Sequence, residues 1–186
     1  MALAHTILSL LSENSLSGYD VSKQFDEGIG CYWKASQQQV YRELGKIERE
    51  GWADFETIPQ EGKPNKKLYR ITEKGWKELM RWYAKPTERT RIREDLLVKV
   101  RFGYKMPRQI LLQELKHRHQ MHCDQLNFYK EKESCFKAMS NPPIEMQFMY
   151  LTLQRGIAYE VSWIQWCESV LSFLAEHPEI GVTQQE

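Results

Sequence analysis

Residues 36–51 of the chain read SQQQVYRELGKIEREG, and this stretch gives the clearest indication of the fold. Ser36 followed by Gln39 three residues later is a capping-box pattern, which marks the start of a helix. Gly51 stands where a helix commonly ends. Between them, apolar residues recur at spacings of four and three on one helical face, namely Val40, Leu44 and Ile47. The stretch therefore predicts an amphipathic helix with a glutamine-rich first turn.

Two shorter helices are predicted before this one. The first covers residues 2–11, because Leu3, Ile7, Leu10 and Leu11 follow a helical spacing. The second begins after Ser17, with Asp20 three residues on as in a capped first turn, and ends at the glycines of residues 28–30. It would run to about Asp26 and bury Tyr19, Val21 or Ser22, and Phe25.

The pattern changes after the third helix. Residues 52–58 and 67–72 are rich in aromatic and β-branched residues, and the turn-forming, basic residues 59–66 lie between them, which predicts a β-hairpin. Thr72 then caps a fourth helix over residues 73–84, closed by Pro86, whose apolar side carries Trp76, Leu79, Met80 and Tyr83. Three helices followed by a hairpin are typical of a winged helix-turn-helix.

The second half predicts two long helices, over residues 107–139 and 143–175, broken at Asn141-Pro142-Pro143. Residues that step by three and four along both helices predict an antiparallel hairpin. Two helices cannot bury both of their faces, so a second copy of the chain is the expected cover. The residues assigned to that dimer interface are Leu112, Leu115, Leu126, Tyr129, Met149, Leu153, Trp163, Trp166, Val170 and Phe173.

The predicted fold is mainly α: an N-terminal winged helix-turn-helix with a small β-hairpin wing, plus a C-terminal antiparallel long-helix dimerisation module. The expected domains are residues 1–86, which bind DNA, and residues 87–186, which dimerise. Hydrophobic residues form 41% and charged residues 27% of the chain, as in a soluble globular protein. No apolar run approaches the roughly 20 residues that cross a bilayer, and no signal peptide is evident, so a cytoplasmic protein is expected.

Duplex DNA is the partner that this pattern predicts. Glutamine can contact adenine through two hydrogen bonds in the major groove, and a basic wing suits phosphates or the minor groove. The candidate DNA-binding residues are Lys34, Ser36, Gln37, Gln38, Gln39, Tyr41, Arg42 and Lys46 around the third helix, and Lys63, Asn65, Lys66 and Lys67 in the wing. A solvated helix face and an ordinary charged turn remain alternative interpretations of the same residues.

Charge does not by itself indicate nucleic acid. The whole chain carries a net charge of +1, and residues 1–75 contain ten Lys or Arg against eleven Asp or Glu, a net of −1. DNA binding must therefore depend on where the cations are placed, and it should be sensitive to salt.

Other chemistry has weaker support in the sequence. His117, His119, His122 and Cys123 include metal-ligand types, yet no matching ligand pair is evident elsewhere, so polar seam residues are the preferred interpretation and no cofactor or metal is expected. Trp163 and Trp166 fit either helix packing or the lining of a ligand pocket. The four cysteines lie far apart and are expected to be reduced thiols. No phosphate-binding loop, nucleophile elbow or acid–base pair indicates an enzyme.

The motifs of the first half, taken as a set over roughly residues 1–90, resemble the PadR family of transcriptional regulators. The long second half and the Gln-Val-Tyr-Arg-Glu-Leu form are similar to its second subfamily, which includes a quorum-sensing-controlled virulence activator. The matching motifs are Leu8-Ser9-Leu10-Leu11, Ser17-Gly18-Tyr19-Asp20, Tyr32-Trp33-Lys34-Ala35-Ser36, Gln39-Val40-Tyr41-Arg42-Glu43-Leu44, Gly51, Glu61-Gly62-Lys63-Pro64 and Tyr69-Arg70-Ile71-Thr72-Glu73-Lys74-Gly75.

This resemblance implies a homodimer that contacts DNA through the third helix and the wing. It also implies either repression relieved by a small phenolic or other aromatic effector, or activation, and it leaves the sign of regulation open. The sequence therefore predicts a sequence-specific DNA-binding regulator. The alternative functions are a ligand- or redox-responsive switch and a protein-interaction adaptor that uses its winged helix without reading DNA.

Overall fold

The computed structural model describes residues 2–27, 33–60, 62, 65–90 and 93–180 of the 186-residue chain. The predicted helix stop at residues 28–30, the thiol of Cys31 and the wing lysine Lys63 lie outside the described residues. The chain divides into two compact units, Met1–Arg89 and Thr90–Glu186, and each is described by itself.

The first unit has the element order of a winged helix. Three helices come first, then a hairpin, then a fourth helix, which confirms the predicted order. The elements are α1 (Ala2–Glu13), β1 (Leu16–Ser17), α2 (Gly18–Glu27), α3 (Gln37–Arg49), β2 (Ala53–Ile58), β3 (Lys66–Ile71) and α4 (Glu73–Tyr83).

The sheet has one strand more than the sequence predicted. Strands β2 and β3 pair antiparallel in the register from Ala53 opposite Ile71 to Ile58 opposite Lys66. The additional strand, β1, pairs with the other edge of β3, where Leu16 lies opposite Tyr69. Two residues are too few to show the alternation that marks a strand, so the segment had the pattern of a polar break.

The predicted caps are formed by the predicted residues. The side chain of Ser36 accepts a hydrogen bond from the Gln39 backbone N–H at 3.3 Å, and Gln39 Oε1 accepts from the Ser36 backbone N–H at 2.8 Å. At α4, Thr72 Oγ1 accepts from the Gly75 N–H at 3.1 Å and donates to the Gly51 carbonyl at 2.7 Å. The second bond joins the end of α3 to the start of α4.

The core of the first unit lies between α1, α2, α3 and the sheet. Ile7, Leu8, Val21, Val40, Leu44 and Ile47 are fully buried there, as the spacing predicted for the third helix. Tyr19 was expected to be buried and is 63% exposed, because it lies beside the outward-facing start of α3 instead of facing the core. Within α4 only Leu79 and Gly75 are buried, so the expected apolar side of that helix is mostly exposed.

The second unit is built on a long antiparallel helical hairpin. Its elements are α5 (Asp95–Phe102), a short 3-10 turn (Gly103–Lys105), α6 (Arg108–Lys137) and α7 (Ile144–Glu176). His119 on α6 pairs with Glu168 on α7, and Glu133 near the end of α6 bonds Tyr150 near the start of α7, which shows the antiparallel sense. These two helices confirm the predicted hairpin.

Helix α5 was not delimited from the sequence, because its eight residues carry apolar side chains on several sides. Its Leu96 is 1% exposed and joins a small core with Leu111, Leu115, Cys167 and Leu174. Helix α5 therefore contributes the cover for one end of the hairpin. Among the helices of the described residues, none is long and apolar enough to cross a membrane.

Candidate nucleic-acid interface

Helix α3 presents one apolar and one polar face. Val40, Leu44 and Ile47 are completely buried, and Glu43 is nearly so. The opposite face carries Gln38, Arg42 and Arg49, all exposed. Residues three, four and seven apart lie on the same side of a helix. The packing of the buried face therefore fixes which side chains a nucleic acid could reach.

The first turn of α3 divides the predicted glutamines into two groups. Gln37 and Gln38 are exposed, and so are Lys34 and Ser36 just before them. The side chain of Gln39 is exposed as well, but its Oε1 atom closes the capping box. Gln39 was assigned to base recognition, and the structure gives its acceptor oxygen a local structural role. Gln38 is then the better placed of the two for reading a base edge.

Tyr41 is placed by contact with the start of α2. A Cβ atom built on Gly18 would lie 2.6 Å from Cε1 of the Tyr41 ring, closer than side chains tolerate. The ring can occupy this position only because residue 18 is glycine. Tyr41 remains 48% exposed, so the phenol is supported on one side and open to a ligand on the other.

The start of α2 extends this face beyond the residues that the sequence indicated. Tyr19, Ser22 and Lys23 line a shallow depression together with Ala35, Ser36 and Gln37. These three residues were not predicted from the sequence, because the helical pattern placed Tyr19 in the core and gave no link between α2 and the first turn of α3. Together they widen the polar surface around the α3 N-terminus, where unpaired N–H groups favour anions.

The wing lysines contact acidic side chains of the same unit. Lys66 Nζ lies 3.1 Å from Asp20 Oδ2 on α2, and Lys67 Nζ lies 3.4 Å from Glu48 Oε2 on α3. On α3 itself, Lys46 pairs with Glu43 at 2.8 Å. Asn65 is exposed at the start of β3. The sequence predicted a local basic surface but could not show which acids would meet these lysines.

The polar cluster in the second unit is joined by hydrogen bonds and ring stacking. His122 Nδ1 lies 2.5 Å from Glu160 Oε2, and its ring stacks on Trp163 with the centroids 5.2 Å apart. His119 pairs with Glu168 and lies 3.7 Å from the sulfur of Cys123. In the part of the chain that the structure describes, no three His, Cys, Asp or Glu side chains converge as metal ligands would. The cluster is a polar part of the hairpin seam.

Two of the second unit's three thiols, Cys123 and Cys167, are shielded from solvent to different degrees, whereas Cys135 is exposed. Burial raises the pKa of the Cys123 thiol, and the neighbouring carboxylates Glu168 and Asp124 raise it further. Burial likewise raises the pKa of Cys167, which is fully buried. Because the thiolate is the reactive form, a raised pKa disfavours reactivity at Cys123 and Cys167.

The residues assigned to a dimer interface occupy three different environments. Leu115 and Tyr129 are buried within the hairpin itself, so a partner chain could not reach them. Met149 and Phe173 are exposed, and the others are half-buried: Leu112, Leu126, Leu153, Trp163, Trp166 and Val170. Further exposed apolar side chains, which the sequence analysis did not select, are Val98, Phe102, Ile110, Met121, Phe128, Phe148 and Leu151.

The first unit thus defines a winged-helix protein with a polar α3 face and a lysine-bearing wing, the class to which many DNA-binding regulators belong. Residues 7–81 match the Transcriptional regulator PadR-like family, and residues 92–175 match the Virulence activator alpha C-term family. The chain belongs to the PadR-like family of transcriptional regulators, and it is not an enzyme.

Two relatives match nearly the whole chain. The probable transcriptional regulator Rv1176c of Mycobacterium tuberculosis is 34% identical over an aligned length of 190 residues. The alignment covers 95% of this chain and 99% of the relative. The negative transcriptional regulator PadR of Bacillus subtilis is 30% identical over 178 residues, which cover 92% of this chain and 97% of PadR.

Solved structures agree with these matches. The virulence activator AphA of Vibrio cholerae superposes with a TM-score of 0.80 at 30% identity, covering 94% of this chain and 98% of AphA. Bacillus subtilis PadR in complex with operator DNA gives a TM-score of 0.81 at 28% identity, and the match covers 94% of this chain and 99% of the PadR chain. The same protein in complex with p-coumaric acid gives a TM-score of 0.73 at 25% identity, and the match covers 93% of this chain and 95% of the PadR chain.

Proposed function

We propose that the chain binds duplex DNA sequence-specifically as a homodimer and thereby regulates transcription in the cytoplasm. The observation that carries the proposal is the exposed face of α3, where Gln38 and Arg42 project opposite a fully buried apolar face. The complex of Bacillus subtilis PadR with operator DNA supports the proposal, since the structural match between the two proteins covers 94% of this chain.

The α3 face has the chemistry of direct readout. A glutamine amide can bond both N6 and N7 of adenine, and an arginine can bond both O6 and N7 of guanine in the major groove. Gln38 and Arg42 lie four residues apart on one side of α3, so both can enter the same groove. Ser36 and Lys34, just before the helix, are suited to a backbone phosphate.

The wing complements α3 with contacts that do not read sequence. Lys63, Asn65, Lys66 and Lys67 are proposed to contact phosphates or the edge of the minor groove. Such contacts raise affinity for any duplex, while α3 provides the discrimination between sequences. Tyr19, Ser22 and Lys23, at the start of α2, are added to the proposed interface because they border the first turn of α3.

Residues 87–186 are proposed as the dimerisation domain and residues 1–86 as the DNA-binding domain. The apolar side chains that the second unit leaves exposed support this, because burying them against a second copy gains about 25 cal/mol per Å². A two-fold axis would then offer two α3 helices to half-sites about one helical turn apart. Leu115 and Tyr129 are omitted from the proposed interface because they are buried within the protomer.

A small aromatic effector is a second proposed partner, supported by the structure of Bacillus subtilis PadR with p-coumaric acid. The relatives include both a negative regulator and a virulence activator, so they give no single sign of regulation. Thermal melting of the chain with and without p-coumaric acid tests the effector. A concentration-dependent rise in melting temperature supports binding, and unchanged melting excludes this compound.

DNA binding is tested by titrating the full chain onto labelled duplexes at several salt concentrations. The duplexes are those that the chain itself selects from a random library, and scrambled versions of them. We expect tighter binding to the selected duplexes and a steep loss of affinity with salt for both. A folded chain that enriches no sequence would contradict the proposal and favour a protein-interaction adaptor.

A further inference from the structure

We propose that Asp20 and Glu48 act as internal competitors of DNA phosphate, which hold the wing lysines Lys66 and Lys67 in the DNA-free protein and thereby limit DNA affinity. The inference rests on the proposed function and concerns the regulation of the same surface. Neither Asp20 nor Glu48 was part of the interface that the sequence predicted.

The first contact joins the turn end of β3 in the wing to the start of α2. Lys66 Nζ lies 3.1 Å from Asp20 Oδ2. The same carboxylate oxygen accepts hydrogen bonds from the Ser17 hydroxyl at 2.7 Å and the Ser17 backbone N–H at 3.1 Å. These bonds, chiefly the one from the Ser17 hydroxyl, lower the pKa of Asp20, and Lys66 adds to the effect. Asp20 is therefore a fixed negative charge at the position that Lys66 reaches.

The second contact joins the wing to α3. Lys67 Nζ lies 3.4 Å from Glu48 Oε2 and 3.6 Å from the centroid of the Phe55 ring. Phe55 packs in turn against Tyr69, whose ring is buried in the core. The ammonium of Lys67 is thus held from two sides. Lys66 and Lys67 therefore contact α2 and α3, the two helices of this unit that carry other candidate DNA-binding residues.

Both ion pairs are open to solvent and therefore exchangeable. The side chains of Lys66 and Asp20 are 37% and 36% exposed, and those of Lys67 and Glu48 are 45% and 36% exposed. Pairs of this exposure contribute little to folding stability. A phosphate oxygen offers the ammonium the same charge and the same hydrogen-bond geometry as a carboxylate. On DNA binding, each lysine would therefore exchange its carboxylate partner for a phosphate. It would not be an unpaired cation that gains its first anionic partner.

This exchange predicts a weakened electrostatic contribution from the wing. When a wing lysine moves from its carboxylate partner to a DNA phosphate, the carboxylate loses its counter-ion. The freed carboxylate then attracts a cation from the salt solution. The net number of cations released on binding falls accordingly, and so do the affinity and the slope of log affinity against log salt. The net charge of −1 over residues 1–75 is consistent with a surface whose cations are largely matched by acids.

The test compares Asp20→Asn, Glu48→Gln and the double variant with the wild-type chain. DNA affinity is measured on selected and scrambled duplexes over a salt series. We expect each single variant to bind both duplexes about two- to fivefold more tightly, the magnitude of one exposed ion pair. The salt slope should steepen by up to about 0.9 per released lysine. Glu73→Gln is the matched control, because it removes the same charge from a residue that pairs with Lys77 on α4.

A second comparison separates release of the lysine from simple repulsion of DNA by the acid. Asp20→Asn is repeated in a Lys66→Met background. If Asp20 acts by holding Lys66, its removal gives no gain once Lys66 is absent. A gain that persists in this background, or wild-type affinity and slope in both single variants, overturns the inference while the proposed function stands.

Two further outcomes are decisive. Asp20 also contributes to the start of α2, so circular dichroism must show that Asp20→Asn is folded, and Glu48→Gln carries the test if it is not. Failure of the folded wild-type chain to bind any duplex overturns the proposed function and this inference with it. Loss of DNA binding in Glu48→Gln would contradict the inference alone, because the inference requires a gain.

Discussion

Adjacent glutamines in the first turn of α3 have different roles. Both side chains are exposed, but Gln39 accepts a hydrogen bond from the backbone of Ser36 and closes the capping box, whereas Gln38 lies on the face opposite the buried residues. A capping residue acts on folding stability, and a base-reading residue acts on discrimination between sequences. The pair therefore allows the two effects to be separated by substitutions one residue apart.

We expect Gln38→Ala to relax base preference at one operator position by about 1–3 kcal/mol and to leave the melting temperature unchanged. Gln39→Ala should lower stability by about 0.5–2 kcal/mol and keep the base preference of the wild-type chain. Binding-site selection and urea unfolding of both variants measure the two quantities. The reverse assignment of effects would show that Gln39 reads the base.

Gly18 is predicted to be required for the position of Tyr41. Gly18→Ala places a methyl group 2.6 Å from the Tyr41 ring, so the ring must move and DNA affinity should fall. Gly45→Ala is the control, because its nearest neighbour would be the flexible end of Arg49 at 3.8 Å and alanine favours the middle of a helix by about 0.5–1 kcal/mol. Urea unfolding should show stabilisation by Gly45→Ala and none by Gly18→Ala. Equal stabilisation by both would contradict the assigned contact.

Between helices, Glu133 links the end of α6 to the start of α7. Its carboxylate pairs with Lys130 and Lys137, each at 3.0 Å, and accepts a hydrogen bond from the Tyr150 hydroxyl at 3.1 Å. Phe136 stacks on the same Tyr150 ring with the centroids 4.3 Å apart. One acidic residue thus joins two helices beside the Asn141 turn.

These contacts, chiefly the bonds from Lys130 and Lys137, lower the pKa of Glu133 to about 2. A carboxylate whose pKa is lowered by folding stabilises the folded state above its unfolded pKa, and this contribution is lost as pH falls toward 2. We expect Glu133→Gln to lower the melting temperature at pH 7, with the difference from wild type shrinking as the pH falls below about 4.5. Carbon-detected NMR titration of the Glu133 carboxyl should give a midpoint near 2. A midpoint near 4.5, or a difference in melting that does not depend on pH, would contradict the assigned contacts.

Elements with a strong local signal could be predicted from the sequence. Helix α3 was predicted with its caps, its buried face and its end, because Ser36, Gln39, Val40, Leu44 and Gly51 are each interpretable within a few residues. Strand β1 and helix α5 could not, because two residues show no period and α5 carries apolar residues on several sides. Their formation depends on partners distant in sequence, β3 for the strand and the α6–α7 hairpin for the helix.

The candidate site was predictable in part for the same reason. Residue type and spacing indicated the polar face of α3 and the basic wing. They could not reveal that Lys66 meets Asp20 across 46 positions of sequence, or that Lys67 meets Glu48. The exposure of Tyr19 was also missed, because a tyrosine at a helix start is compatible with core and surface alike.

For the whole molecule, we expect one winged unit to bind DNA weakly, so that the proposed dimerisation strengthens binding. Residues 1–89 contain 14 Lys or Arg against 13 Asp or Glu, and this near-balanced charge gives a single unit little general attraction to DNA. Two linked units bind more tightly because the second contact becomes intramolecular and occurs at a high effective concentration. Operator affinity should therefore also depend on residues of the second unit, which are not proposed to touch DNA.

We expect the chain truncated after Lys85 to be folded, monomeric and much weaker in operator binding. Within the full chain, Phe173→Glu and Met149→Glu place a charge on side chains that are exposed in the protomer, and they should weaken dimerisation without unfolding the hairpin. Cys135→Ser is a matched control at another exposed position of the hairpin. Circular dichroism and size-exclusion chromatography with light scattering check fold and mass. Wild-type mass in both glutamate variants would move the interface elsewhere on the second unit.

The most direct test of the central claim is sedimentation velocity of the full chain with a fluorescently labelled duplex that the chain has selected from a random library. We expect a complex of two chains on one duplex, formed at protein concentrations that leave a scrambled duplex of equal length unbound. A complex of one chain per duplex, or equal occupancy of the selected and scrambled duplexes at every salt concentration, would contradict a sequence-specific homodimer.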